Sequence, residues 1–498
     1  VDTQRIHEML ARNAELRPDA PAIVDADGSR HDWRAYDAAA TEMAELMAAH
    51  GATAGSRVVI VAENCLATAA AIFGASRLGA WAVPVNARMT GAELDKIAAH
   101  ADPAVVIYTS NVSAEAGAHA QAAGAAEVAT LSGTVGLLRR DGTTPETDPE
   151  VAVMLYTTGT TGDPKGVMLT HGNLLFAGRA SAELRAMVPE DLIYGALPMT
   201  HVFGLASMLM AAAHVGASIA LAPRFKPAAL YQALIDGATV LPAVPQMHAL
   251  LMAHAAEKGV GRLENARLRY VSSGAAPLDP TWKRKAEAFY GLPLQNGYGM
   301  TESTAGSSGT RNPIGSPDTS VGPPLPGVEI AIDETVGQEP GTGEVLTRGP
   351  HVMKGYYRAP ETTAAALSSD GWLRTGDLGR IDDEGRLHIV GRAKELIIRG
   401  GFNVYPPEVE AALNDHPQVV QSAVIGRARD GNEDILAFVQ TADPAPTPDE
   451  LRAFVHDRLS AYKRPTRILV VDMLPAAPSG KVLKHKLLTH FATALEAG

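Results

Sequence analysis

From residue 57 onward, short apolar runs alternate with helix-patterned segments, and this alternation limits the possible folds more than any other feature of the chain. The runs at 57–62 (Arg-Val-Val-Ile-Val-Ala), 80–85 and 104–108 are separated by helical patterns at 64–78 and 90–100. Strands apolar on both faces must be covered on both, which parallel strands joined by helices achieve. The expectation is an α/β fold built on a parallel sheet. Ahead of it, Asp2 or Thr3 can cap a helix carrying Ile6, Met9 and Leu10 on one face, followed by a short strand at 22–25 and a helix at 33–50. Ala and Gly crowd residues 113–129, where no period of 2 or 3.6 can be assigned.

Further on, a helix at 171–188 leads to a strand at 191–197 and the loop Pro198-Met199-Thr200-His201. Residues 202–223 contain no Asp, Glu, Lys or Arg and are long enough to span a bilayer. Gly204, Ser207, His214, Gly216 and Ser218 interrupt them, so they read as a buried helix broken near Gly216 and a buried strand. Strands at 238–241 and 268–272 flank a helix at 246–257. Beyond 321 the texture changes to short strands between Gly/Pro turns, at 328–332, 343–348, 373–377 and 387–389. After Arg392 comes an α+β unit: a strand at 396–398, helix 406–414, strands 419–425 and 435–439, helix 448–459, strand 467–471 and a final helix. The expected architecture is a large α/β N-terminal domain with doubly wound sheets and a β-rich module, and a small α+β C-terminal domain on a hinge. The boundaries fall at 1–391, 392–395 and 396–498.

A net charge of −12 over 498 residues argues against binding nucleic acid or an anionic membrane. A single cysteine, Cys65, excludes an intrachain disulfide and a thiolate metal cluster, and it reads as a packed small residue at a helix start. Residues 1–7 lack the apolar run of an export signal. The expected location is cytoplasmic, with no membrane span, and a homodimer is compatible with the sequence.

Chemistry concentrates first at residues 156–166, Tyr-Thr-Thr-Gly-Thr-Thr-Gly-Asp-Pro-Lys-Gly. Glycines let backbone N–H groups approach a ligand, the hydroxyls of Thr157, Thr158, Thr160 and Thr161 donate to oxygens, and Lys165 supplies a mobile cation. A polyphosphate suits such a loop. The spacing is not that of a Walker A loop, which disfavours a kinase or simple ATPase. Asn296-Gly297-Tyr298-Gly299-Met300-Thr301-Glu302 combines an aromatic face for a purine with a carboxylate suited to a magnesium-bound phosphate. The segment 371–377 places Asp377 at a strand end, where a carboxylate can accept two ribose hydroxyls. Gly391-Arg392-Ala393-Lys394-Glu395, followed by Gly400-Gly401, has the make-up of a hinge, and Lys481 lies on a loop with little apolar bulk around it.

Taken in order, these five segments resemble the core motifs of the adenylate-forming superfamily: acyl-CoA synthetases, aryl-CoA ligases, peptide-synthetase adenylation domains and luciferases. The resemblance runs from Thr3 to Lys486. It implies an enzyme that uses ATP, Mg²⁺ and coenzyme A on a small carboxylic acid, with a C-terminal domain that rotates between two half-reactions. It further implies that Thr157, Thr158, Gly159, Thr160, Thr161, Gly162 and Lys165 wrap the β- and γ-phosphates. Thr301 and Glu302 would serve the α-phosphate and metal. Asn296, Gly297, Tyr298 and Gly299, with Gly274, Ala275 and Ala276, would line the adenine site, and Asp377 and Arg392 would hold the ribose. Lys394 would be the hinge and Lys481 would bridge carboxylate and α-phosphate. His201 would stand between acid and pantetheine, and Gly400 and Gly401 along the pantetheine channel.

The resemblance further implies that malonate-type ligases carry an arginine where this chain has Gly297, so a second carboxylate would lack its partner here. A glycine leaves space, and Val202, Phe203 and Met247 nearby are apolar, which favours an aryl or medium-chain acid. The chain ends at Gly498 with no segment resembling a carrier domain, which favours free coenzyme A. Transfer to a separate carrier protein and a non-catalytic nucleotide-binding role stay open. The joint presence of Lys165, Glu302, Asp377 and Lys481 weighs against the latter.

Overall fold

The computed structural model describes residues 3–141, 143–158, 164–264, 267–274, 278–336, 340–399, 402–429, 432–477 and 482–496. Among them, the alternating region builds an eight-stranded sheet. Its centre is parallel: Val151–Thr158, Trp81–Asn86, Arg57–Ala62 and Val105–Tyr108 lie side by side. Its edges are antiparallel. Gly133–Arg139 and Ala126–Thr130 close one side, while Pro164–Thr170 and Gly355–Tyr356 close the other. The segment without an assignable period holds helix Ala114–Ala123, whose first turn is capped by the Ser113 side chain accepting from the Ala116 N–H. Strand Ala126–Thr130 follows it.

A second eight-stranded sheet is again parallel at its centre, where Pro21–Val24, Ser218–Leu221, Leu192–Gly195, Val240–Ala243, Tyr270–Ser273 and Leu294–Tyr298 run in order. Helices Trp33–Ala49, Leu66–Leu78 and His171–Leu184 contribute buried faces to the largest apolar cluster. The charge-free run is a buried helical stretch from Val202 to Val215, wound in wider turns over Leu205–Met210. Gly216 ends it at φ +78°, a conformation costly for a residue with a Cβ, and strand Ser218–Leu221 follows. No helix of the described residues is long and apolar enough to cross a membrane.

The β-rich module is a four-stranded antiparallel sheet of Glu329–Asp333, Gly343–Arg348, Leu373–Ile381 and Leu387–Arg392. From Ile397 on, residues make two buried clusters of their own, around a hairpin (Ile397–Arg399 with Phe402–Val404) and a sheet of Val419–Arg429, Asn432–Thr441 and Arg467–Val471. Two local expectations are corrected. The first helix starts at Ile6, not after Asp2 or Thr3, because the Glu8 carboxylate accepts from the Gln4 and Arg5 N–H groups. The final helix is two short ones, Leu487–His490 and Ala492–Glu496.

Cys65 is buried at the start of helix Leu66–Leu78, and burial, with Asp25 nearby, pushes its thiol up to about 11. Burial holds His171, His248 and His351 down at about 4. Their ordinary value of 6.5 returns on unfolding. Above pH 6.5 both states carry them neutral; below it the unfolded chain takes up protons that the folded one refuses, so stability falls as pH drops from 6.5 through about 4. Each unit of difference is worth ~1.4 kcal/mol, against a total stability of about 5–15 kcal/mol. Thermal melts are expected to show a steep fall in midpoint across that window, and a flat profile would contradict neutral burial of these imidazoles.

Candidate active site

Strands Val151–Thr158 and Pro164–Thr170 form a hairpin in which Thr157 lies opposite Lys165 and Tyr156 opposite Gly166. Thr157 and Lys165 therefore sit on paired antiparallel strands, whereas strand-to-helix loops carry ligands in most doubly wound sheets. Gly159, Thr160, Thr161 and Gly162 lie outside the described residues, as does the Thr158 side chain. The hairpin base is packed tightly: a Cβ on Gly166 would meet Met154 Sδ at 2.7 Å. The Gly166 carbonyl accepts from the Tyr357 N–H at 2.7 Å.

The second motif leaves the end of strand Leu294–Tyr298 and makes a tight turn through the helical residues Thr301–Ser303. Only glycine fits at 299, since a Cβ there would lie 1.3 Å from the Ala305 carbonyl oxygen. The turn buries Thr301 and leaves Glu302 only 8 % exposed. An oriented carboxylate results: the Tyr356 hydroxyl donates to Glu302 Oε1 at 2.9 Å, and the Glu302 carbonyl accepts from the Met353 N–H at 2.9 Å.

Three residues far apart in the chain meet beside this turn. The Tyr298 hydroxyl donates to Asp377 Oδ2 at 2.6 Å, and Arg392 Nε donates to Asp377 Oδ1 at 3.1 Å. Asp377 and Arg392 are cross-strand partners. Asp377 sits within strand Leu373–Ile381 and not at a strand end, because pairing with Leu387–Arg392 continues past it through a bulge at Leu378/Gly379. Asp377 is 5 % exposed, and each carboxylate oxygen keeps a second lone pair for a ligand hydroxyl. Burial, reinforced by the Asp377 charge, pushes the Tyr298 phenol well above its ordinary value, so it stays a donor. The Tyr298 ring packs against the cluster of Val321, Val345 and Leu387. Asn296 is committed to the protein, its amide nitrogen donating to the Ser320 carbonyl at 3.0 Å and its oxygen accepting from the Gly297 N–H at 2.9 Å.

The apolar residues also gather. Val202 and Met247 are buried in the largest cluster, and Phe203 packs against it with its ring 3.2 Å from where a Gly274 Cβ would stand. His201 precedes them at the helix start, its Nδ1 accepting from the Phe203 N–H at 3.2 Å. The space expected at Gly297 is narrower than a bare glycine suggests, with the Ser308 carbonyl oxygen 3.1 Å from a Cβ at that position. Lys394 lies in the single turn Ala393–Glu395 directly after Arg392. Ala275, Ala276, Gly400, Gly401 and Lys481 lie outside the described residues.

Two residues not singled out in the sequence hold this arrangement together. Asn64, 2 % exposed, donates to the Gly195 and Leu197 carbonyls and accepts from the Met199 N–H, each at 2.8 Å, which fixes the loop leading to His201. Its position just after strand Arg57–Ala62 was the available signal. Tyr356 lies between Glu302 and Lys165, whose Nζ is 5.3 Å from the Tyr356 ring centroid. Nothing in the local sequence separates it from a core tyrosine.

Nucleotide phosphates bring their own charge, so a magnesium ion entering with them needs only one or two protein carboxylates. Among the described residues no group of three or more His, Cys, Asp or Glu could cage a metal. The donor set around Glu302 fits a cation shared with a nucleotide.

The architecture and the site define an AMP-forming enzyme: residues 10–357 match the model of the AMP-binding enzyme family and 408–481 that of the AMP-binding enzyme C-terminal domain. The chain belongs to this family and is an enzyme of its acid–CoA ligase class. It is 33% identical to a sulfoacetate–CoA ligase of Cupriavidus necator over 97% of this chain and 97% of that protein. It is also 33% identical to 4-coumarate–CoA ligase 2 of Oryza sativa, over 98% of this chain and 92% of the relative. Among solved structures it resembles o-succinylbenzoate coenzyme A synthetase of Bacillus subtilis in complex with ATP and a magnesium ion. That likeness has a TM-score of 0.79 at 29% identity and covers 96% and 98% of the two chains.

Proposed function

We propose that the protein activates an aryl or medium-chain carboxylic acid with ATP, forming an acyl adenylate and pyrophosphate, and then transfers the acyl group to coenzyme A with release of AMP. The observation that carries this reading is the convergence of Tyr298, Asp377 and Arg392 beside the Thr301–Glu302 turn, which the Tyr356 hydroxyl ties to the base of the phosphate hairpin. Tyr298 with Asp377 and Arg392 bind the nucleoside, Thr157 and Lys165 the phosphates, and Thr301 the α-phosphate. Glu302 holds a magnesium ion, which when bound neutralises phosphate charge. Lys481 stabilises the carboxylate as it approaches the α-phosphate. The organisation is a nucleotide- and acid-binding part at 1–391, a hinge at 392–395 and a mobile part at 396–498.

The acid-binding assignment rests on the apolar lining by Val202, Phe203 and Met247 and on a glycine, not a cation, at position 297. The relatives named above act on acids as different as sulfoacetate and coumarate, so family membership alone does not choose one. A hydroxylamine-trapping screen over short-chain, medium-chain, benzoic and cinnamic acids with ATP and Mg²⁺ tests the reading. Hydroxamate is expected with aryl or medium-chain acids, and free coenzyme A is expected to replace hydroxylamine as acceptor. Trapping confined to the short-chain acids would overturn the substrate class while leaving adenylation intact.

A further inference from the structure

Tyr356 belongs to the two-residue strand Gly355–Tyr356, which pairs antiparallel with the second arm of the phosphate hairpin, Tyr356 opposite Val167. Side chains two apart share a strand face, so Lys165 is the diagonal neighbour of Tyr356, and Thr157, opposite Lys165, shares that face. From this position the tyrosine makes two contacts of different kinds. Its ring lies under the Lys165 ammonium, 5.3 Å from Nζ to centroid, and its hydroxyl donates to Glu302 Oε1 at 2.9 Å. Neighbouring backbone bonds stitch the same segment to both partners, Met353 N–H to the Glu302 carbonyl and Tyr357 N–H to the Gly166 carbonyl.

We propose that Tyr356 is a positioning residue that sets the phosphate-binding Lys165 and the metal-facing Glu302 at a fixed separation, its ring acting on the lysine and its hydroxyl on the carboxylate. The proposal rests on the ligase reading of those two residues. A hydroxyl that occupies Oε1 leaves Oε2 for a cation and fixes its direction, the service that partners behind a metal ligand commonly provide. The ring favours a lysine held over its face. The two contacts are chemically separable, because Tyr356→Phe keeps the ring and loses the hydroxyl, whereas Tyr356→Leu loses both.

The full-length chain is used for the test, with Mn²⁺ as the metal probe and α,β-methylene ATP as a nucleotide that cannot release pyrophosphate. Paramagnetic resonance of free Mn²⁺ reads metal binding in the presence of the nucleotide; calorimetry without metal reads the nucleotide alone. Tyr356→Phe is expected to weaken Mn²⁺ binding about tenfold and leave metal-free nucleotide affinity unchanged. Tyr356→Leu is expected to show the same metal loss and an additional, about threefold, loss of metal-free nucleotide affinity. Wild-type Mn²⁺ binding by the phenylalanine variant overturns the proposal, and so does equal weakening of both ligands in both variants, the result of general loosening. If the leucine variant does not fold, the phenylalanine variant, which lacks a single oxygen atom, decides on the two readouts alone. Failure of the ligase reading looks different: the wild-type chain itself would bind neither nucleotide nor Mn²⁺–nucleotide.

Discussion

Lys481→Ala is expected to slow pyrophosphate release by about 10²–10³ while sparing thioester formation from supplied acyl adenylate. In the first half-reaction a carboxylate approaches an α-phosphate, and two anions must be brought together. A lysine placed between them stabilises charge that develops only in the transition state, so its loss falls on rate more than on substrate binding. In the second half-reaction a thiol attacks an acyl adenylate, and no anion needs to be brought to the phosphorus. Lys165 stands elsewhere, opposite Thr157 and over Tyr356, and its proposed task is to hold the leaving pyrophosphate. Lys165→Ala is accordingly expected to act mainly through the KM for ATP. Pyrophosphate exchange and single-turnover thioester formation measure the two half-reactions separately. Equal loss in both for Lys481→Ala would remove this lysine from the first step.

Some of the fold was legible because local and global requirements coincide. Strand Arg57–Ala62 is apolar from Val58 onward and buried throughout, so its covering on both faces could be read from the residues alone. Helix Pro406–Asn414 begins with a proline at a position that tolerates it and buries Val409 and Leu413 on one face. The strand Pro164–Thr170 was hidden. Lys165 and Gly166 carry a loop composition, and what makes them a strand is pairing on both sides, to Val151–Thr158 and to Gly355–Tyr356, the latter nearly 200 residues away in sequence. Asp377 was misplaced for a similar reason. Gly376, at φ +72°, suggests the end of a strand, but the partner strand Leu387–Arg392 carries the ladder on to Ile381.

The site divides along the same line. Residue types suited to phosphate, purine and metal could be picked out one motif at a time, and their order along the chain carried the resemblance. Their convergence could not be read from spacing. Tyr298 and Asp377 share a 2.6 Å hydrogen bond across 79 residues, and only the meeting of the second sheet with the β-rich module brings them together. Asn64 and Tyr356 stand in no motif that announces a ligand. Their roles come from where other backbone and side-chain groups end up, which composition does not encode.

Lys394→Pro is expected to leave adenylation at its wild-type rate and to depress thioester formation by about 10²-fold or more, because a catalytic group left out of place by even ~1 Å loses that much. The proposed pivot is bounded by bonds on either side of it. Arg392 is held by Asp377 at 3.1 Å, on the side proposed to bind the nucleotide. Glu395 is held by Lys484 at 3.2 Å, and Lys484 also binds Glu410 at 2.8 Å on the first helix of the C-terminal part. With both flanks anchored, a rotation between the two parts has the backbone of Ala393 and Lys394 in which to occur. Proline at 394 fixes φ near −65° and restricts the residue before it, so both dihedral sets are constrained at once. Lys394→Gln separates this backbone effect from the loss of charge and is expected to retain most thioester formation. Normal overall turnover by the proline variant would rule out rotation at this turn, and equal damage by glutamine and proline would assign the effect to the ammonium group in place of the hinge.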